Sequence, residues 1–220
     1  AWRAAERRRR TGRRGLTRAV DAYLVRRGTG TTIVAGYPWF TDWGRDTFIA
    51  MRGLCLATGR LSQARDILLQ WSTFISEGML PNRFPDAGEQ PEFNSVDASL
   101  WFVIVAGELI ERAATRPDVL NGAQLAQLQA AIAYIVTAYA SGTRYGIHAD
   151  EDGLLACGLV GSQITWMDAR VRDRAVTPRV GKPVEVQALW LNALRYAARD
   201  NDVWEPWLER GRRTFVERFW

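Results

Sequence analysis

Apolar residues return at the spacing of one helical face along most of this chain, and only a few residues separate several of the segments that carry them. Consecutive antiparallel helices satisfy that pattern and a sheet does not. In the clearest case Ser62 precedes a segment where Ala64, Ile67, Leu68, Trp71 and Ile75 share a face, ended by Gly78. Just before it, Asp46 opens a helix that runs to about Ala57 and is stopped by Gly59. Two amphipathic helices so closely joined form an αα-hairpin. The arrangement repeats over Val96 to about Ala114 and Ala123 to about Ala140, the latter with Leu125, Leu128, Ile132 and Ile135 on one face. Pro183 to about Arg199, with proline in the first turn, and Glu205 to about Phe219 close the series. With Leu16 to Arg27, which precedes a turn at Gly28 to Thr32, about seven helices are predicted. Strands alternating with helices at regular spacing are missing, which argues against a parallel α/β sheet.

The longest interruption, Tyr145 to Gly181, is punctuated by Gly146, Gly153, Gly158 and Gly161, and its short apolar pieces suit small paired strands. Irregular insertions of that length in a compact helical domain are usually functional. At 220 residues and 47% hydrophobic content the chain suits one domain with a sizeable core. Cys55 and Cys157 lie in apolar stretches without metal-type spacing, so neither a disulfide framework nor a zinc site is expected, and the default is a reduced, cytoplasmic protein. The single histidine, His148, leaves no partner for a histidine-based triad, so acid/base chemistry falls to carboxylates. The net charge of +5 comes largely from Arg7 to Arg10, Arg13, Arg14 and Arg18, an Arg-rich lead-in with no accompanying nucleic-acid recognition motif. No apolar run approaches the ~18 residues of a membrane span, and no secretory signal follows the arginines. Neither nucleic acid nor a membrane is expected as a partner.

The chemistry gathers in five segments that lie between predicted helices or at their starts. In GYPWFTDWGRDT, Gly36 to Thr47, three aromatic rings, two carboxylates and a guanidinium fall between Trp39 and Asp46. Indole faces stack on the apolar C–H face of a pyranose, while Asp and Arg hydrogen-bond its hydroxyls. Trp39, Asp42, Trp43, Arg45 and Asp46 are the candidates there, although Asp46 equally suits an N-cap and the tryptophans the interior. PNRFPD supplies Asn82 and Arg83, and also reads as a proline-bounded turn. NSVDASLWF supplies Asn94, Asp97 and Trp101, the last two being four residues apart and so on one helical face. SQITWMDAR contributes Trp166 and Asp168; Trp166 and Met167 offer apolar surroundings that would keep the Asp168 carboxyl protonated near neutrality, as a general acid requires. TPRVGKPVEVQALW brings Lys182, Glu185 and Gln187, with Glu185 in a first helical turn where a carboxylate is favoured whether or not it binds sugar.

Taken in order, GYPWFTDWGRDT, PNRFPD, NSVDASLWF, TWMDAR and TPRVGKPVEVQALWLNAL make the chain resemble the amylo-alpha-1,6-glucosidase domain of glycogen debranching enzymes, from about Val25 to Leu194. The resemblance implies an all-α fold, an (α/α)6 toroid of six helical hairpins whose loops meet at one rim. It further implies inverting hydrolysis of the α-1,6-linked branch-point glucose of glycogen or a related glucan. By the same resemblance Asp168 is the general acid, and Trp43, Arg45 and Asp46 hold the terminal glucose. An inverting glycosidase also needs a carboxylate base, roughly 6.5–9.5 Å from the acid. The resemblance places that base well downstream, so residues 1–220 are expected to form the N-terminal part of one such domain, an incomplete ring with 1–15 as lead-in. No metal or organic cofactor is implied. A glucoamylase-like or trehalase-like exo-glycosidase and a non-catalytic glucan-binding fragment are the alternatives, and the oligomeric state is left open.

Overall fold

The computed structural model describes residues 3, 15–28, 30–37, 40–84, 90–172 and 174–220. Trp39 and the arginines at 7–10, 13 and 14 lie outside the described residues. Seven α-helices are present among those described: α1 (Gly15–Tyr23), α2 (Gly44–Met51), α3 (Leu61–Ser72), α4 (Val96–Ala113), α5 (Gly122–Ser141), α6 (Val184–Ala197) and α7 (Glu205–Phe219). Three two-stranded antiparallel ribbons accompany them: β1 (Leu24–Arg27) with β2 (Gly30–Ile33), β3 (His148–Ala149) with β4 (Leu155–Ala156), and β5 (Arg170–Val171) with β6 (Arg174–Ala175). The chain is therefore mostly helical, with its small strands in the loops.

Alternate helices pack into two rows. In one row α4 lies between α2 and α6; α3, α5 and α7 back onto it, α3 against α4 and α5, and α7 against α6. Phe48 of α2 meets Phe102 of α4 and Trp71 of α3 edge to face, with ring centroids 5.4 and 5.1 Å apart. All three rings are buried, each burial contributing roughly 1.5–3 kcal/mol to the joint between the rows. Where α4 crosses α6, Gly107 admits the Tyr196 ring so closely that a Cβ at that position would stand 2.2 Å from it. Buried polar groups are matched here too: Tyr139 of α5 donates to the Val96 carbonyl at 3.0 Å, and Trp190 of α6 to that of Gly153 at 3.1 Å.

Several boundaries differ from those the periodicity predicts. The first helix ends at Tyr23, and Leu24–Arg27 turn into a strand. Gly28 takes φ +57° in the turn, and Val25 faces Thr32 across the ribbon, so β-branched cross-strand pairing overrides helix continuation. The helix bearing Asp46 starts two residues earlier, at Gly44; its N-cap is Trp43, so Asp46 is a first-turn carboxylate and not the cap. That helix continues through Arg52–Leu56 as a widened π turn, with the Ala57 amide donating to the Arg52 carbonyl. Helix α3 stops at Ser72, and the chain reverses between Ser76 and Met79 through Glu77 (φ 51°) and Gly78 (φ 74°). Asn121 and Gln124 form a reciprocal capping box that starts α5.

Candidate active site

The starts of α2, α4 and α6 lie near one another, and the loop before β5 joins them through the Ile164 carbonyl, which accepts from the Val96 amide at 2.8 Å. Ser95 caps α4 by accepting from the Ala98 amide at 3.2 Å, which sets Asp97 in the first turn. Gly44 begins α2 against the Pro81 carbonyl and donates to that of Asn82 at 2.8 Å, which sets Arg45 opposite Asp97.

The Arg45 guanidinium is the hub. Its Nε donates to Asp97 Oδ2 at 2.8 Å, its Nη2 to Ser95 Oγ at 3.3 Å, and its Nη1 to Asp168 Oδ2 at 3.5 Å. Asp97 also accepts from the Ser95 hydroxyl. Burial works to lower the proton affinity of Arg45, but the charge and hydrogen bond of Asp97, followed by Asp168 and Asp46, raise it instead. Asp97 is 2% exposed, so the pair is held away from water; removing one member of such a pair typically costs about 3–5 kcal/mol. The Asp168 side chain, by contrast, is 48% exposed and faces this cation. Its surroundings are thus more open and polar than Trp166 and Met167 lead one to expect, because Trp166 is itself 55% exposed.

Beside this hub opens a cleft of about 400 Å³ lined by Arg45, Asp97, Trp101, Trp166, Glu185 and Leu189, among others. Trp101 and Trp166 provide indole surface, and Leu189 apolar wall. Glu185 pairs through Oε2 with Arg179, whose Nη1 touches Met167 Sδ at 3.4 Å, while Glu185 Oε1 is buried without a partner. A second cleft, of about 300 Å³, adjoins across Arg45 and Ile49 and contains Asp46. Desolvation at that carboxyl raises its proton affinity, opposed by Arg45, although Asp46 as a whole residue is exposed. The ensemble offers stacking faces, a fixed guanidinium and several carboxylates within one concave surface, the chemistry that a polyhydroxylated ring requires. Among the described residues no cluster of His, Cys, Asp and Glu could hold a metal ion, and no helix is long and apolar enough to cross a membrane.

The sequence profile of the amylo-alpha-1,6-glucosidase family matches residues 18–220. The chain belongs to this family. It is also 27% identical to the glycogen debranching enzyme of Saccharomyces cerevisiae over an aligned stretch of 220 residues, covering 75% of this chain and 14% of that enzyme. The chain thus spans about a seventh of the length of that relative.

Within this amylo-alpha-1,6-glucosidase family member, Arg45, Asp97, Trp101, Trp166 and Glu185 meet at the larger cleft, and Asp168 joins them through Arg45. Trp43, Asn82, Arg83 and Asn94 form a strip behind the start of α2, outside the lining of that cleft. Trp43 bridges to Arg83, whose guanidinium lies 6.0 Å from its ring centroid and pairs with Glu92 at 2.7 Å. Asn94 donates to Glu92 at 3.2 Å, and the Asn82 and Asn94 side-chain oxygens are buried without partners.

Three further candidates are engaged elsewhere. Asp42 pairs with Arg27 of β1 and accepts from Thr32 of β2 at 3.2 Å, beneath a separate cavity of about 70 Å³ walled by Trp71 and Phe84. Lys182 is held between Asp150 and Asp152 at 2.6 and 2.8 Å. Gln187 is fully buried and clamps both the amide and the carbonyl of Leu155, at 2.7 and 2.8 Å. Ser95 carries no sugar-binding signal of its own, although a serine directly before an apolar run is a helix-start signal. Arg179 carries no signal in the sequence, because its role depends on a partner on another element.

Proposed function

We propose that this segment is part of an (α/α)6 glycosidase that removes α-1,6-linked branch-point glucose from glycogen or a related branched glucan, with inversion and with Asp168 as the general acid. The observation that carries the reading is the meeting of Arg45, Asp97, Trp101, Trp166 and Glu185, drawn from four separate segments, at one cleft beside Asp168. The two rows formed by alternate helices support the ring: α2, α4 and α6 would be inner helices, and α3, α5 and α7 their outer partners. Family membership supports the linkage. Two buried, unpaired cysteines suit a reducing, cytoplasmic setting.

In this mechanism Trp101 and Trp166 stack on the glucose ring, while Arg45, with Asp46 at the adjoining cleft, binds its hydroxyls. Asp168 donates its proton to the glycosidic oxygen as the bond to the anomeric carbon breaks. A base carboxylate on the opposite face takes a proton from the attacking water. We assign that base to none of the residues described. The reaction needs neither metal nor organic cofactor.

The test is glucose release from a phosphorylase-limit dextrin by the natural full-length protein and its Asp168→Asn variant. A general acid is worth about 10²–10⁴-fold, and a loss of that order is expected. Wild-type turnover by the variant would refute the assignment of Asp168. A panel of α-1,6, α-1,4 and α,α-1,1 linkages tests the substrate, and oligosaccharide binding without turnover by the wild type would favour a glucan-binding module instead.

A further inference from the structure

We infer that Asp97 is a positioning residue that acts through Arg45 on Asp168, and not a ligand to the sugar; the inference rests on the reading of Asp168 as the acid. Both Asp97 oxygens are already engaged, Oδ2 by Arg45 Nε at 2.8 Å and Oδ1 by the Ser95 hydroxyl, and its side chain is 4% exposed. These two anchors and the burial leave little of the carboxylate open to a substrate hydroxyl. On the arginine, the separations lengthen from Asp97 (2.8 Å) through Ser95 (3.3 Å) to Asp168 (3.5 Å). The guanidinium is thus anchored by its Nε edge, and its far nitrogen, Nη1, is presented to the half-exposed carboxylate. Planar geometry makes this orientation specific, since fixing Nε and Nη2 also fixes the direction of Nη1.

The same arrangement governs charge. The buried negative charge of Asp97 lies directly against the Arg45 cation. The other charges around the site are Asp46, next to Arg45 on α2, and Glu185 on α6, which is matched by Arg179.

The experiment is a double-mutant cycle in the full-length protein, with Arg45→Gln, Asp97→Asn and both together, read as kcat and KM on whichever linkage the wild type cleaves. Asp97→Asn should lower kcat by about a hundredfold, as a misplacement near 1 Å does. KM should stay within about threefold. In the Arg45→Gln background the Asp97 substitution should cost nothing more. A rise in KM at unchanged kcat for Asp97→Asn, or losses that multiply in the double variant, would overturn the inference while leaving the glucosidase reading intact. No turnover by the wild type on any linkage would overturn both. Should Asp97→Asn fail to fold by circular dichroism, Ser95→Ala, which removes one of the two donors to Asp97, should lower kcat without raising KM; a change in KM alone would refute the positioning role.

Discussion

Gly44, the glycine of the WGRD run, is where packing at the site has least room, and its replacement by alanine tests the geometry directly. A Cβ there would stand 2.5 Å from the Pro81 carbonyl oxygen and 3.4 Å from both the Ala98 Cβ and the Trp71 ring. The first contact is backbone, held in turn by the bond from the Gly44 amide to the Asn82 carbonyl at 2.8 Å, so no flexible side chain can yield. Relief requires the start of α2 and the Pro81–Asn82 strip to separate by about 0.5–1 Å. Overpacking of this kind costs about 1–3 kcal/mol, against a gain of about 0.5–1 kcal/mol from replacing glycine in a helix. The net loss of about 1.2 kcal/mol corresponds to a fall of about 2–5 °C in melting temperature for a unit of this size. Arg45 is the next residue and moves with the helix start, and its contact with Asp168 is already 3.5 Å. On the proposed reading, glucose release by the full-length protein should therefore fall by about a hundredfold. The assay pairs differential scanning calorimetry with turnover of limit dextrin, and Gly53→Ala serves as control because nothing lies within 4 Å of a Cβ there. A Gly44→Ala protein that melts with the wild type and turns over at its rate would refute the close approach and the link between it and the site.

Two further outcomes follow from the segment that carries the insertion. Gln187→Leu strands the amide and carbonyl of Leu155 without partners and should cost about 3 kcal/mol, read as a lower urea midpoint with an unchanged slope; a midpoint equal to that of the wild type would refute the clamp. For Lys182→Met the expected signature lies in pH. The hydrogen bond from Lys182 holds Asp150 below the ordinary 3.8; at Asp152 burial is the largest single effect and acts the other way, but the hydrogen bonds from Lys182 and the Leu154 amide, with the charges of Lys182 and Arg218, together hold it below 3.8 as well. Burial works to lower the proton affinity of Lys182, but its hydrogen bonds to Asp150 and Asp152 raise it above 10.5. The stabilisation is present above the unfolded carboxylate value and below the unfolded lysine value. It is lost as pH falls through the depressed carboxylates or rises through the raised lysine. The difference in melting temperature between wild type and variant should be widest around neutrality and shrink below about pH 4. A difference independent of pH would show that Lys182 acts only through packing.

Much of the fold was legible because helices announce themselves locally. The face Ala64, Ile67, Leu68 and Trp71 is buried as its spacing predicts, and Val96, Gly122 and Glu205 open helices within a residue of the expected starts. The exception at Leu24–Arg27 is instructive. Those residues tolerate either state, and what made them a strand was a partner beyond Gly28, a non-local pairing that helical periodicity does not register. Among the candidate site residues, the type of chemistry was legible and the grouping was not. Asp42, Lys182 and Gln187 sit in motifs as rich as those of Asp97 and Glu185, yet their polar groups are consumed by Arg27, by two aspartates and by the Leu155 backbone.

The sequence by itself determined where the helices lie, the sugar-compatible mixture of indole, guanidinium and carboxylate, and the family to which the chain belongs, since each is written in local periodicity or in contiguous motifs. Only the tertiary structure decided which of those groups share a cleft and which carboxylate Arg45 holds most tightly. Asp97 and Asp168 lie 52 and 123 residues from Arg45 along the chain, and their distances are set by how α2, α4 and α6 pack, which no local pattern specifies.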